Sequence, residues 1–227
     1  MTQTTTLTEV AERFEAGFPG LTDAGEQRLA SRLFRVLAEG EPVETARLAD
    51  AVGRPDDEVA RVLAGPVFDP LLYRDERGRI VGFGGLAVGD LAQTPHRLEL
   101  DGRELYAWCA ADALFLPVVL EREARVESRC PVTGERIVLT VAPEGYRDQQ
   151  PANSVMSMLR PEEIEARAAA GGDVIRSFCH FIHFFASEEA ARAWVEEHPD
   201  TTQISIEDGF EVGRRWIAHL WGVGADR

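Results

Sequence analysis

The chain contains no lysine: all 24 of its basic residues are arginine, against 39 acidic residues, for a net charge of −15. So acidic a surface repels phosphate backbones and anionic lipid headgroups, which excludes nucleic acid and membranes as expected partners. The lysine deficit itself reflects codon usage and carries no functional reading. Cysteine is nearly as scarce. Cys109, Cys130 and Cys179 are odd in number and far apart, unlike the disulfide framework of a small secreted domain, so free thiols in a reducing compartment are expected. Long apolar runs are missing too. The longest, Ala110-Ala111 with Ala113 to Leu120, is interrupted by Asp112 and Pro117 and falls short of the roughly 20 residues of a membrane span. The first residues lack the basic-then-apolar pattern of a signal peptide, and the expected location is the cytoplasm. What remains, 44% hydrophobic and 28% charged residues in 227, fits a soluble chain with one substantial core or two small ones.

Periodicity divides the chain into an α+β arrangement. Leu29, Leu33, Val36 and Leu37 recur at helical spacing, a second helical unit runs from Pro42 to Ala49, and Gly53 to Asp56 reads as a turn ending in an N-cap before a helix over Asp57 to Leu63. Leu71 to Arg74 and Ile80 to Phe83 flank the turn Asp75 to Gly78 as a hairpin, the wing of a winged-helix-like unit over residues 21–86. No role is assigned to the extension 1–20. Residues 87–227 read as a mixed or antiparallel-sheet domain, with strands at Arg97 to Leu100, Val126 to Arg129 and Arg136 to Val141 and a hairpin around Cys130. Tyr106 to Leu120, rich in alanine and leucine, predicts a helix that Pro117 ends or kinks. Ser177 to Phe185 is β-prone, Ser187 caps a helix through Glu196, and Gly209 to Trp221 forms a last amphipathic segment.

Two places carry chemistry. In Trp108-Cys109-Ala110-Ala111-Asp112, a helix would put the thiol and carboxyl on one face with β-carbons about 5–6 Å apart. Apolar neighbours Leu105, Trp108, Leu114 and Phe115 would raise the carboxyl pKa toward neutrality, as a proton carrier requires. The bland alternative is a buried cysteine acting as a small hydrophobe beside an exposed aspartate. Around Cys179, Ser177 to Phe185 sets a thiol and two imidazoles among aromatics, and either strand or helix spacing would bring Cys179 and His183 together. The alternative there is a hydrogen-bonded core histidine. Cys130 reads as structural. Tyr106, Trp108 and Phe178 are candidates to line a pocket or simply to fill the core.

These residues resemble the organomercurial (alkylmercury) lyase family in three ordered blocks: Leu105 to Asp112, then Arg125 to Cys130 with Thr133-Gly134, then Ser177-Phe178-Cys179 with His183 to Ser187. Gly40-Glu41-Pro42-Val43 and Gly82-Phe83-Gly84 extend the likeness over about residues 20–220. The resemblance implies protonolysis of carbon–mercury bonds, with Cys109, Asp112 and Cys179 as the active site and as ligands of the product Hg²⁺. It assigns Cys130 a structural role. One departure is visible: several relatives carry a second cysteine immediately after the catalytic one, where this chain has His180. The resemblance implies no resident cofactor. It implies an organomercurial substrate, cellular thiols that release the ion, and a mercuric reductase that receives it.

Two rival readings stay open at this stage. A winged-helix metal-responsive regulator would use residues 21–86 on DNA, although Asp56-Asp57-Glu58 would set three acids against phosphate. A passive metal store would use Cys109, Cys130, Cys179 and His183, and would have no need of Asp112.

Overall fold

A computed structural model describes residues 7–222; the ends of the predicted extension and catalytic unit, residues 1–6 and 223–227, lie outside the described residues. Helices come first: α1 (Leu7–Gly17), α2 (Ala24–Leu37), α3 (Thr45–Val52) and α4 (Asp56–Leu63). The predicted apolar stripe of α2 is buried, and Asp23 caps the helix by accepting from Gly25 N at 2.8 Å and Glu26 N at 2.9 Å. Gly53 ends α3 in the left-handed region. Asp56 is not the cap of the next helix but its first residue, after Pro55; its first turn carries Asp56, Asp57 and Glu58, whose charge suits the positive end of the helix dipole.

The hairpin follows as expected, with β1 (Leu72–Arg74) antiparallel to β2 (Ile80–Phe83). It does not stand apart. β3 (Leu86–Ala87) pairs with both β2 and β5 (Arg103–Ala107), so the wing is one edge of a sheet ordered β1-β2-β3-β5-β4-β6-β7-β8. The other members are β4 (Arg97–Leu100), β6 (Ala124–Arg129), β7 (Arg136–Ala142) and β8 (Gly145–Gln150), all paired antiparallel. Alternation puts Leu98, Leu100, Val126, Ile137, Leu139 and Val141 on the covered face.

That face packs on α5 (Ala110–Leu120), every residue of which is buried, as befits a helix apolar all round. The predicted helix from Tyr106 therefore starts four residues late. Tyr106 belongs to β5 opposite Arg97, because cross-strand pairing overrides a local helical bias. Pro117 does not end the helix, which runs on to Leu120. Behind α5 stands a smaller sheet, β10-β9-β11, made of β9 (Val155–Leu159), β10 (Phe184–Phe185) and β11 (Thr201–Ser205). Around it lie α6 (Pro161–Ala170), α7 (Val174–Ser177), α8 (Glu188–Glu197) and α9 (Ile206–Trp221). Ser187 caps α8 as predicted, accepting from Ala190 N at 3.2 Å. The extension also has a place: α1 packs on α6 and α9, with Arg215 of α9 donating to both Glu15 carboxylate oxygens, at 2.6 and 3.1 Å. No described helix is long and apolar enough to cross a membrane.

Between the sheets lie two buried imidazoles. His96 holds Ser128 Oγ at 2.9 Å through Nδ1, and its ring stacks on that of His183 with centroids 5.9 Å apart. Burial lowers both pKa values, that of His96 well below the usual value and that of His183 to about 4. Below about pH 6.5 the unfolded chain thus binds protons the fold refuses, and stability falls as pH drops toward 4. We expect the thermal midpoint of a His183→Gln variant to converge on that of the native chain between pH 7 and 4.5, read by scanning calorimetry. A constant gap across that range would exclude titration at His183 as a cause of acid instability.

Candidate active site

β5 ends at Ala107 and delivers Trp108 and Cys109 to the start of α5. Cys109 is not on the helix. Its backbone is extended (φ −151°), and its Sγ, as the N-cap, accepts the Asp112 N–H at 3.4 Å. A thiol here does the work of a serine or aspartate cap. Cys109 and Asp112 therefore meet through a capping interaction instead of the shared helical face that their spacing predicts.

Cys179 arrives from the other side. The β-prone stretch Ser177 to Phe185 forms only the two-residue β10; Ser177 ends α7, and Cys179–Phe181 is a 3₁₀ turn. Ser157 of β9 shapes it, donating through Oγ to Phe181 O at 2.8 Å and accepting His183 N–H at 3.0 Å. His180 meets Ala92 O at 2.9 Å, and Ala110 N donates to Ile182 O at 3.0 Å, pinning the turn to the head of α5. Cys179 Sγ then lies 3.9 Å from Asp112 Oδ2. The ligand atoms of Cys109, Asp112 and Cys179 all lie within 4.8 Å of one another, and all three residues are buried.

The other sequence candidates stay outside this cluster. His183 Nε2 faces His180 O at 2.8 Å and its ring abuts Trp194. Cys130 sits in the β6–β7 turn, where Gly134 N donates to its carbonyl at 2.8 Å. Burial pushes the Cys130 thiol up, but hydrogen bonds from Thr133 and from the Ala186, Thr133 and Val132 amides outweigh it and leave its pKa below the ordinary value. The four-donor set of a metal store is thus not assembled among the described residues. The cavity over the thiols is lined by Phe14, Phe18, Trp108, Phe178, Trp216 and Trp221. Trp108 and Phe178 were foreseeable; Tyr106 instead turns its hydroxyl to Glu104 at 2.7 Å. Phe14 and Phe18 carried no signal, since neither belongs to a motif.

Burial governs the electrostatics. It pushes the Asp112 carboxyl up to about 7, against the opposing effect of hydrogen bonds with the two cysteines. It also raises Cys109 well above the usual thiol value and raises Cys179. Near neutral pH the site holds protonated thiols beside a carboxyl able both to accept and to donate a proton.

The cost of this arrangement can be measured. The folded Asp112 pKa of about 7 exceeds the unsited 3.8, so the group's stabilising contribution is full below pH 3.8 and is lost as pH rises through 7. The difference is roughly 4 kcal/mol. An Asp112→Asn variant should therefore gain midpoint relative to the native chain from pH 4 to 7 and no more above pH 8. A pH-independent difference would contradict the raised pKa.

Comparison with known proteins agrees with this geometry. The family model described as alkylmercury lyase matches residues 91–218, and that described as the helix-turn-helix domain of alkylmercury lyase matches residues 14–84. The alkylmercury lyase of Staphylococcus epidermidis is 38% identical over 205 residues, 88% of each chain. That of Pseudomonas putida is 41% identical over 187 residues, 82% of this chain and 81% of its own. The crystal structure of the mercury-bound form of MerB2 superposes with a TM-score of 0.70 at 28% identity, covering 92% of this chain and 96% of that one. Matching both halves in order, with the thiols and carboxyl brought together, the chain belongs to the alkylmercury lyase family.

Proposed function

We propose that this chain cleaves the carbon–mercury bond of alkyl- and arylmercury compounds by protonolysis, with Cys109 and Cys179 binding mercury and Asp112 delivering the proton. The observation that carries this reading is the convergence of two thiols and a carboxyl with a pKa of about 7 in a buried, aromatic-lined site. Mercury is soft and prefers thiolates to oxygen or nitrogen donors. One thiol loses its proton as it binds R–Hg⁺. The second passes its proton to Asp112 and adds to the metal, and the extra electron density weakens the carbon bond. Asp112 then protonates the departing carbon, so R–H leaves and Hg²⁺ stays on the two sulfurs. One proton reaches the hydrocarbon and one is released, which balances the step.

In this reading mercury is substrate and product, and no resident cofactor takes part. Cellular thiols remove the ion by exchange and pass it to a mercuric reductase. The chemistry needs reduced cysteines, which fits a cytoplasmic setting. Residues 87–227 carry the chemistry, and the winged-helix-like unit over residues 21–86 supports them without binding nucleic acid, in keeping with the acidic first turn of α4.

Removing the carboxyl separates capture from cleavage. With one equivalent of phenylmercury, Asp112→Ala should still bind mercury while benzene release, followed by headspace gas chromatography, slows about 10²- to 10⁴-fold. Release at the native rate would remove Asp112 from the proton-delivery role.

A further inference from the structure

The carboxyl of Asp112 rests against bare backbone. A β-carbon placed on Gly85 would stand 2.6 Å from Asp112 Oδ1 and 2.7 Å from Cγ, distances real β-carbons essentially never show, and 3.0 Å from Cβ, tighter than nearly all of them. Gly85 has φ +99°, in the region that disfavours any side chain. Its carbonyl accepts the Trp108 N–H at 2.9 Å, which ties the same residue to the segment leading into Cys109.

Gly84 is crowded by other groups. Its N–H donates to Leu71 O at 3.0 Å, and a β-carbon there would meet Phe34 Cζ of α2 at 2.8 Å and Trp221 Cζ2 of α9 at 3.0 Å. The two-glycine turn between β2 and β3 is therefore crowded by aromatic rings at Gly84 and by the acid at Gly85. Nothing larger than glycine fits without moving one of them.

We infer that Gly85 is a positioning residue for the reaction, and that its side-chain-free backbone is the seat holding the Asp112 carboxyl toward Cys179. The winged-helix-like unit then contributes directly to catalysis. Its last turn fixes the proton donor, and α2, through Phe34, backs that turn. The catalytic consequence rests on the lyase reading; the seat itself rests on geometry alone.

Gly85→Ala tests this beside Gly53→Ala, which sits at φ +65° with nothing within 4 Å and so carries the backbone strain without the clash. With phenylmercury, Gly85→Ala should capture one equivalent of mercury yet release benzene about 100-fold more slowly, the order of loss that a misplacement near 1 Å produces. Gly53→Ala should lower the midpoint and leave release unchanged. A thermal double-mutant cycle adds a readout independent of turnover: Asp112→Ala should raise the midpoint more in the Gly85→Ala background than in the native one, because deleting the carboxyl relieves the clash. This cycle also serves if Gly85→Ala alone folds poorly. Native-rate release by Gly85→Ala, or purely additive midpoints, would overturn the seat. If the native chain releases no hydrocarbon, the lyase reading fails instead, and the cycle alone decides the role of Gly85.

Discussion

A carboxyl group buried in an apolar interior holds its proton far more tightly than one in water, and burial brings Asp112 to a pKa of about 7, where it can both take up and give up a proton. The helix that carries it is buried along its whole length, between an eight-stranded sheet on one side and α9 on the other. α1, the residue that follows it and α9 close the cavity with Phe14, Phe18 and Trp216. Beneath the carboxyl lies a turn with no side chains. Desolvation on this scale consumes an appreciable part of the about 5–15 kcal/mol by which a domain is ordinarily stable. The extensive aromatic core, with Phe34, Phe83 and Trp221 in mutual contact, offsets it.

The same burial disciplines the thiols. Both cysteines of the cluster have pKa values above the usual range, so neither is a thiolate waiting for an arbitrary metal. A soft cation that bonds covalently to sulfur can displace the protons, and Asp112 is the acceptor within reach of Cys179. Three acids gathered in one buried, apolar-lined cluster tolerate little negative charge at a time, so on the proposed reading metal binding is coupled to proton movement. The N-terminal end of α5 tempers the cost, since its Asp112 N–H points at the Cys109 sulfur.

Much of this was legible in the amino-acid sequence where local chemistry decides structure. The stripe of α2, the hairpin around Asp75 to Gly78 and the Ser187 cap all follow from short-range rules, and the order of the three blocks with Cys109, Asp112 and Cys179 carried the family. What stayed hidden depends on distant partners. β5 is concealed in a helix-favouring stretch, because its strand character comes from pairing with β3 and β4. Cysteine is not among the preferred caps, so the start of α5 was misplaced. The turn at Cys179 is shaped by Ser157, remote in sequence, and the meaning of Gly85 lies wholly in its contact with Asp112.

The central claim is that a buried proton, passed through Asp112, replaces mercury on carbon. Turnover of phenylmercury in D₂O with excess thiol, with headspace benzene analysed by mass spectrometry, tests it most directly. The account predicts repeated release of benzene carrying a single deuterium, abolished in Cys109→Ser. Tight mercury binding by the native chain with no benzene, or benzene without deuterium, would contradict it.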